Sequence, residues 1–93
     1  MGYNLIIRPE AQKEIDEAIF WYNEIREGLE LDFFNEMSDV LNYIQKYPKH
    51  FQKRYKKIRI RFTKKFDYGI HYIVEENLVV VIAVIHVKRK PKY

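Results

Sequence analysis

Three side chains in the C-terminal half, Asp67, His71 and His86, could move or steer a proton near neutral pH. They sit in charge of one sign. Lys49 to Lys65 reads KHFQKRYKKIRIRFTKK, nine Lys/Arg without an Asp or Glu, and the chain closes on KRKPKY. Cations interleaved with aromatic and β-branched residues suit the grip of a polyanion, although a Lys-rich surface also serves solubility. Each histidine has a plain alternative. His71 within a strand fits a partly buried structural residue, and Asp67 could orient His86 or pair with Lys64 or Lys65. Other chemistries find no residues. Three scattered histidines and no cysteine match no metal-ligand spacing. Gly2, Gly28 and Gly69 form no phosphate loop, and no Ser-His or Cys-His pair is evident.

The charge is divided along the chain. Residues 1–48 carry four Lys/Arg and ten Asp/Glu, net −6, whereas residues 49–93 carry thirteen and three, net +10. That asymmetry points to nucleic acid or another polyanion as partner of the basic half. The 47% apolar and 16% aromatic content argues against disorder, and 93 residues match one domain, 1–93. MGYNLIIRPEAQ lacks the basic and apolar regions of a signal peptide, so a cytoplasmic protein is expected. The apolar run LVVVIAVIHV is too short for a membrane helix. Without thiols, nothing calls for disulfides, and no cofactor is expected.

The elements that must position these groups follow from periodicity. Tyr3 to Ile7 reads as a short strand. Pro9 suits a first helical turn, and Ala11, Ile15, Ala18, Tyr22 and Ile25 form a helical stripe up to Gly28. Trp21 falls beside the stripe and reads as packing or interface. Phe33, Met37, Val40, Ile44 and Tyr47 repeat the pattern, widened by Phe34 and Leu41, until Pro48. The short connection makes an antiparallel helical hairpin. Thereafter the period is two. Ile58, Ile60 and Phe62 alternate with Lys57, Arg59 and Arg61, and two more strands meet at Glu76-Asn77, the last running from Leu78 to Val87. The order β-α-α-β-β-β predicts an α+β fold, a helical hairpin on one face of a mainly antiparallel four-stranded sheet.

A two-residue turn at Glu76-Asn77 places His71 opposite Ile82, Gly69 opposite Val84 and Asp67 opposite His86. Tyr68, Ile70, Tyr72 and Val74 would then meet the helices with Val79, Val81, Ala83 and Ile85. Asp67, Gly69, His71 and His86 would share the open face. If Ile58, Ile60 and Phe62 also pack inward, Arg59 and Arg61 join that face and line a positive groove. A one-residue slip would reverse these assignments.

The order of elements and several stretches together resemble the RelE/ParE superfamily of bacterial type II toxins. IIRPEAQKEIDEAIFWYNE resembles the family's first strand and helix, YPKHFQKRYKKIRIR its loop and basic strand, and FDYGIHYIV its third strand. VVVIAVIHVKRKPKY resembles its last strand, with a frequent H-x-x-R-x-P ending at His86, Arg89 and Pro91. The resemblance covers nearly the whole chain and implies the superfamily's fold and a cognate antitoxin, with a toxin–antitoxin hetero-oligomer as a possible assembly.

The resemblance implies two toxic mechanisms. RelE-like relatives cut messenger RNA on the ribosome. Carried onto this chain, Arg59, Arg61 and Arg89 would hold phosphate charge, and His86 and Tyr93 would transfer protons. ParE-like relatives poison DNA gyrase and are not known to be enzymes. A basic face of Lys57, Arg59, Arg61, His71, Lys88, Arg89 and Lys90 would then bind the target. Where many relatives carry an arginine on the third strand, this chain has Gly69 in YGIHY. That missing cation favours gyrase poisoning over ribonuclease activity. A small non-toxic nucleic-acid-binding or interaction domain is a third reading.

Overall fold

The computed structural model describes residues 2–88. Its elements are β1 (Asn4–Ile7), α1 (Pro9–Ile25), α2 (Leu29–Lys46), β2 (Lys53–Tyr55), β3 (Ile58–Phe62), β4 (Tyr68–Glu75) and β5 (Leu78–His86). They form two helices on a mixed five-stranded sheet of order β1-β5-β4-β3-β2. The expected four strands become five because β2, only Lys-Arg-Tyr, pairs antiparallel with β3. All three of its residues are exposed, so it carries no apolar alternation to read. β1 lies parallel to β5, and the other pairings are antiparallel.

Local chemistry sets the helix boundaries. Pro9 opens α1 and the Arg8 amide before it bonds the Val81 carbonyl at 2.9 Å, joining helix entry to the central strand. Gly28 adopts φ +95°, a backbone that glycine takes without steric penalty, and its amide donates to Glu30 Oε1 at 2.9 Å. The predicted stripes are buried at Ala11, Ile15, Ala18 and Tyr22 on α1 and at Phe33, Met37, Val40 and Ile44 on α2. Ile25 and Tyr47, the last member of each stripe, are exposed at the C-terminal ends of the helices. Trp21 meets Tyr22 edge-on and is otherwise largely exposed. Gln45 donates to the Tyr3 carbonyl at 2.7 Å and ties α2 to the start of β1.

The core is aromatic at its centre. Phe33 meets the rings of Tyr22, Phe66 and Tyr68 at centroid distances of 5.2, 5.4 and 5.2 Å. Such tilted and edge-on contacts contribute beyond area burial. Tyr68 is also anchored through its backbone. Thr63 Oγ1, although buried, accepts from the Tyr68 amide at 2.9 Å. The Thr63 amide returns a bond to the Tyr68 carbonyl at 2.8 Å, closing the β3–β4 hairpin.

The β4–β5 register agrees with the expected turn from Glu75–Leu78 as far as Tyr72–Val81, then shifts by one residue. His71 faces Ala83 rather than Ile82, and Tyr68 faces His86. The extra residue on β5 is a bulge, which reverses which side chains point inward beyond it. Val84 therefore enters the core at 1% exposure, while Ile85, expected inside, is 50% exposed. The bulge exchanges a mismatch for a fit: Val84 and not Ala83 fills the space opposite Ile70.

Truncating the two neighbours tests this register. Val84→Ala should lower unfolding free energy by about 2 kcal/mol through lost burial and residual cavity. Ile85→Ala should cost under about 1 kcal/mol, since half the side chain already meets solvent. Urea titration of both variants would show the opposite ranking if the register ran unbroken.

Candidate functional site

The sheet has a helix-covered face and an open face, and β3 does not present its arginines as expected. Arg59 pairs with Tyr72 and Arg61 with Ile70, so both point to the helix side. Ile60 and Phe62, paired with His71 and Gly69, point to the open side. Arg59 Nη1 donates to the Phe51 carbonyl at 2.6 Å. The Arg61 guanidinium lies over the Phe51 ring at 4.8 Å and the Tyr43 ring at 5.4 Å. Its Nε is buried without a hydrogen-bond partner. Beside them Tyr72 donates to the Pro48 carbonyl at 2.7 Å. Burial pushes its phenol up to about 12 against the pull of Arg59 and Arg61.

This inversion has a physical reason. The wall facing β3 on the helix side is the last turn of α2, with the Tyr43 ring, and the segment after it, with carbonyls at Pro48 and Phe51 and the Phe51 ring. A guanidinium can meet a carbonyl with its N–H groups and rings with its flat face, whereas isoleucine at Arg59 would leave the Phe51 carbonyl without that donor. Arg59 and Arg61 thus hold the chain between α2 and β2 against the sheet.

The other expected site residues separate. His86 shares the helix-side face with Tyr68, their rings perpendicular at 4.9 Å, and its Nδ1 accepts from the Lys88 amide at 3.1 Å. The bulge places it across the sheet from His71. Lys88 pairs with Asp67 at 3.2 Å and Lys57 with Glu75 at 3.7 Å, both exposed ion pairs. Arg89, Lys90 and Tyr93 lie outside the described residues. The positive groove of Arg59, Arg61 and His86 on the open face is therefore not formed.

What does occupy the open face is a different group. Tyr55 Oη and His71 Nδ1 are 3.2 Å apart, and burial lowers the imidazole pKa so that it is neutral at pH 7. Arg54 lies over the Phe62 ring at 5.6 Å. A Cβ at Gly69 would meet Phe62 Cε1 at 3.2 Å, Ile60 Cγ2 at 3.3 Å and His71 Nε2 at 3.5 Å. Glycine there lets Phe62 and Ile60 close over the strand, and an arginine would have to displace them. Neither Arg54 among the nine cations of the basic run nor Tyr55 among its aromatic residues stands out by sequence pattern. The signal available was the Arg-Tyr pair itself, legible only once β2 is known. Among the described residues, no three His, Asp or Glu are grouped to hold a metal ion. Among the described residues, no helix is long and apolar enough to cross a membrane.

Residues 5–91 match the family described as the ParE toxin of type II toxin-antitoxin systems, parDE. The chain belongs to the ParE toxin family. Among solved structures the fold resembles a chain of the "Chromosomal ParDE TA system from P. aeruginosa", with a TM-score of 0.81. The match covers 92% of this chain and 97% of that one at 10% sequence identity, so it reports shared fold. No curated protein sequence matches. In this ParE-family chain the described part of the open sheet face carries Ile60 and Phe62 with the Tyr55–His71 pair and Arg54, and the arginines of β3 face the helix side.

Two consequences can be measured. Arg59→Ala removes a charged donor and leaves the Phe51 carbonyl without it, so stability should fall by about 1.5–3 kcal/mol in urea titration. Because the folded His71 resists protonation, the unfolded chain takes up its proton first as pH falls. Stability should decline below about pH 6.5, and His71→Gln should flatten that part of the profile.

Proposed function

We propose that this ParE-family chain is the toxin of a type II pair and arrests growth by binding DNA gyrase rather than by cutting RNA. The observation that carries this reading is the engagement of Arg59 and Arg61 with Phe51 and Tyr43 on the helix side. The strand cations that phosphate cleavage would use are occupied in packing, and Phe62 over Gly69 fills the centre of the open face. A surface of this kind acts through contact. Its cognate antitoxin, in this reading, covers the apolar open face with a segment whose acidic residues meet Arg54 and the neighbouring lysines. Gyrase as target implies a cytoplasmic toxin.

A second reading keeps one specific support. Neutral His71 bonded to Tyr55, with Arg54 on the same face, resembles the parts of a ribonuclease: a base, a second proton-transfer group and a phosphate-binding cation.

The two readings separate in one pair of assays. With purified protein, gyrase supercoiling should be lost while messenger RNA on ribosomes remains intact. His71→Gln should leave the gyrase effect within about twofold, because no proton moves on the toxin. Ribosome-dependent RNA cleavage that falls by about 10²–10⁴-fold in His71→Gln would reverse the assignment.

A further inference from the structure

A recess of about 350 Å³ opens where the chain enters β2, lined by His50, Phe51, Gln52, Arg54 and Ile60. Neither Tyr55 nor His71 lines it. Its walls are fixed from behind. Arg59 Nη1 holds the Phe51 carbonyl at 2.6 Å, and the Arg61 guanidinium lies over the Phe51 ring at 4.8 Å. The His50 ring meets Phe51 edge-on at 4.8 Å, and its Nδ1 is 3.4 Å from Tyr43 Oη, which leaves Nε2 as the nitrogen for a ligand. Arg54 is aimed by a bulge. Lys53 pairs with Arg59 and Tyr55 with Ile58, so the register shifts between them. A regular strand would put Arg54 and Tyr55 on opposite faces. The shift sets both on the open face, where Arg54 lies over Phe62 and Tyr55 meets His71. From Lys49 to Phe66 the chain has no Asp or Glu, so nothing in this segment neutralises the recess.

We propose that this recess binds a nucleoside phosphate. Its lining sorts into the parts that such a ligand needs. Arg54 offers a charged planar fork to phosphate oxygens, and His50 Nε2 a further hydrogen bond. Ile60 and the part of the Phe51 ring that faces the recess offer apolar surface to a base. The Gln52 amide, donor and acceptor at once, can read a base edge. Other anions use less of the site. An acidic peptide side chain would engage Arg54 and leave the remaining groups idle, and inorganic phosphate would leave most of the volume unfilled. The volume falls within the range of small-molecule sites, about 300–1,000 Å³. Because the walls are held before a ligand arrives, little ordering opposes binding. A free nucleotide and one unit of a single strand present the same chemistry, and titration separates them. The inference goes beyond the gyrase reading, and its test needs neither target nor antitoxin.

The full-length chain, isotope-labelled, would be titrated with adenosine monophosphate, adenosine, inorganic phosphate, a blocked Glu-Glu dipeptide and a short deoxyadenosine strand. Adenosine monophosphate should saturate at one site, with amide shifts gathered from His50 to Arg54 and at Ile60. It should bind about tenfold, or 1.4 kcal/mol, more tightly than adenosine, phosphate or the dipeptide. A strand that binds the same residues more tightly than the mononucleotide would identify the ligand as a unit of a strand; a strand that binds no more tightly would identify it as a free nucleotide. Arg54→Gln should weaken binding about tenfold. Gln52→Ala, at an exposed position, should narrow the preference between adenosine and uridine monophosphates. The proposal fails if the shifts do not saturate, or if they map to the Tyr55–His71 pair or the helical hairpin. It fails if inorganic phosphate binds as tightly, which would make the recess a simple anion site, or if the dipeptide does, which would assign it to an acidic protein segment. It also fails if Arg54→Gln, with an unchanged amide spectrum beyond the recess, binds as the parent does.

Discussion

The pairing of β4 with β5 at the middle of the sheet decides what each face of this protein can do. These two strands supply Tyr68, Ile70, Tyr72, Val79, Val81 and Val84 to the core, all buried. A single bulged residue between Val81 and Ala83 divides the ladder into two registers. Before it, the turn at Glu76-Asn77 governs, with Glu76 taking φ +53°. After it, the need to bury Val84 and to pack His86 on Tyr68 governs. Because side chains alternate, one extra residue moves His86 from one face to the other.

The arginines of β3 obey the same core. A strand beside β4 must place alternate residues toward the helices, and at this margin the helix layer gives way to the segment from Tyr47 to Gln52. That segment is irregular, so its carbonyls need donors. Arg59 supplies one, Tyr72 another, and Arg61 fills the space between two rings. The basic charge of the chain is therefore partly structural. Of the cations left for solvent, Arg54 lies over the Phe62 ring on the open face.

Two surfaces of opposite sign result. On one side, Arg54 borders the patch of Tyr55, Ile60, Phe62 and His71. On the other, carboxylates border a groove between the helices. The division of charge between the two halves of the sequence becomes a division between two faces, because the acidic half folds into the hairpin and the basic half into the sheet and its loops. Each face sets apolar surface beside charge, the combination that gives specificity at interfaces.

Local pattern determined much of this architecture. Helical stripes, Pro9, Gly28 and Pro48 marked the hairpin, period-two alternation marked β3, and the quoted stretches were enough to indicate the toxin superfamily. Those features depend on neighbours three or four residues apart, or on alternation, and so are written along the chain. Only the tertiary structure decided which way β3 and the end of β5 face. The pattern Ile-Arg-Ile-Arg-Phe states that two faces differ but not which is inside. That choice depends on the Phe51 carbonyl and the rings of Phe51 and Tyr43, which arrive from elsewhere in the chain. The bulge at Ile82 was equally hidden, since it reflects the fit of Val84 against Ile70 and the core beyond it. Short β2 and its Arg54 and Tyr55 emerged only from pairing with β3, a contact that three exposed residues do not announce.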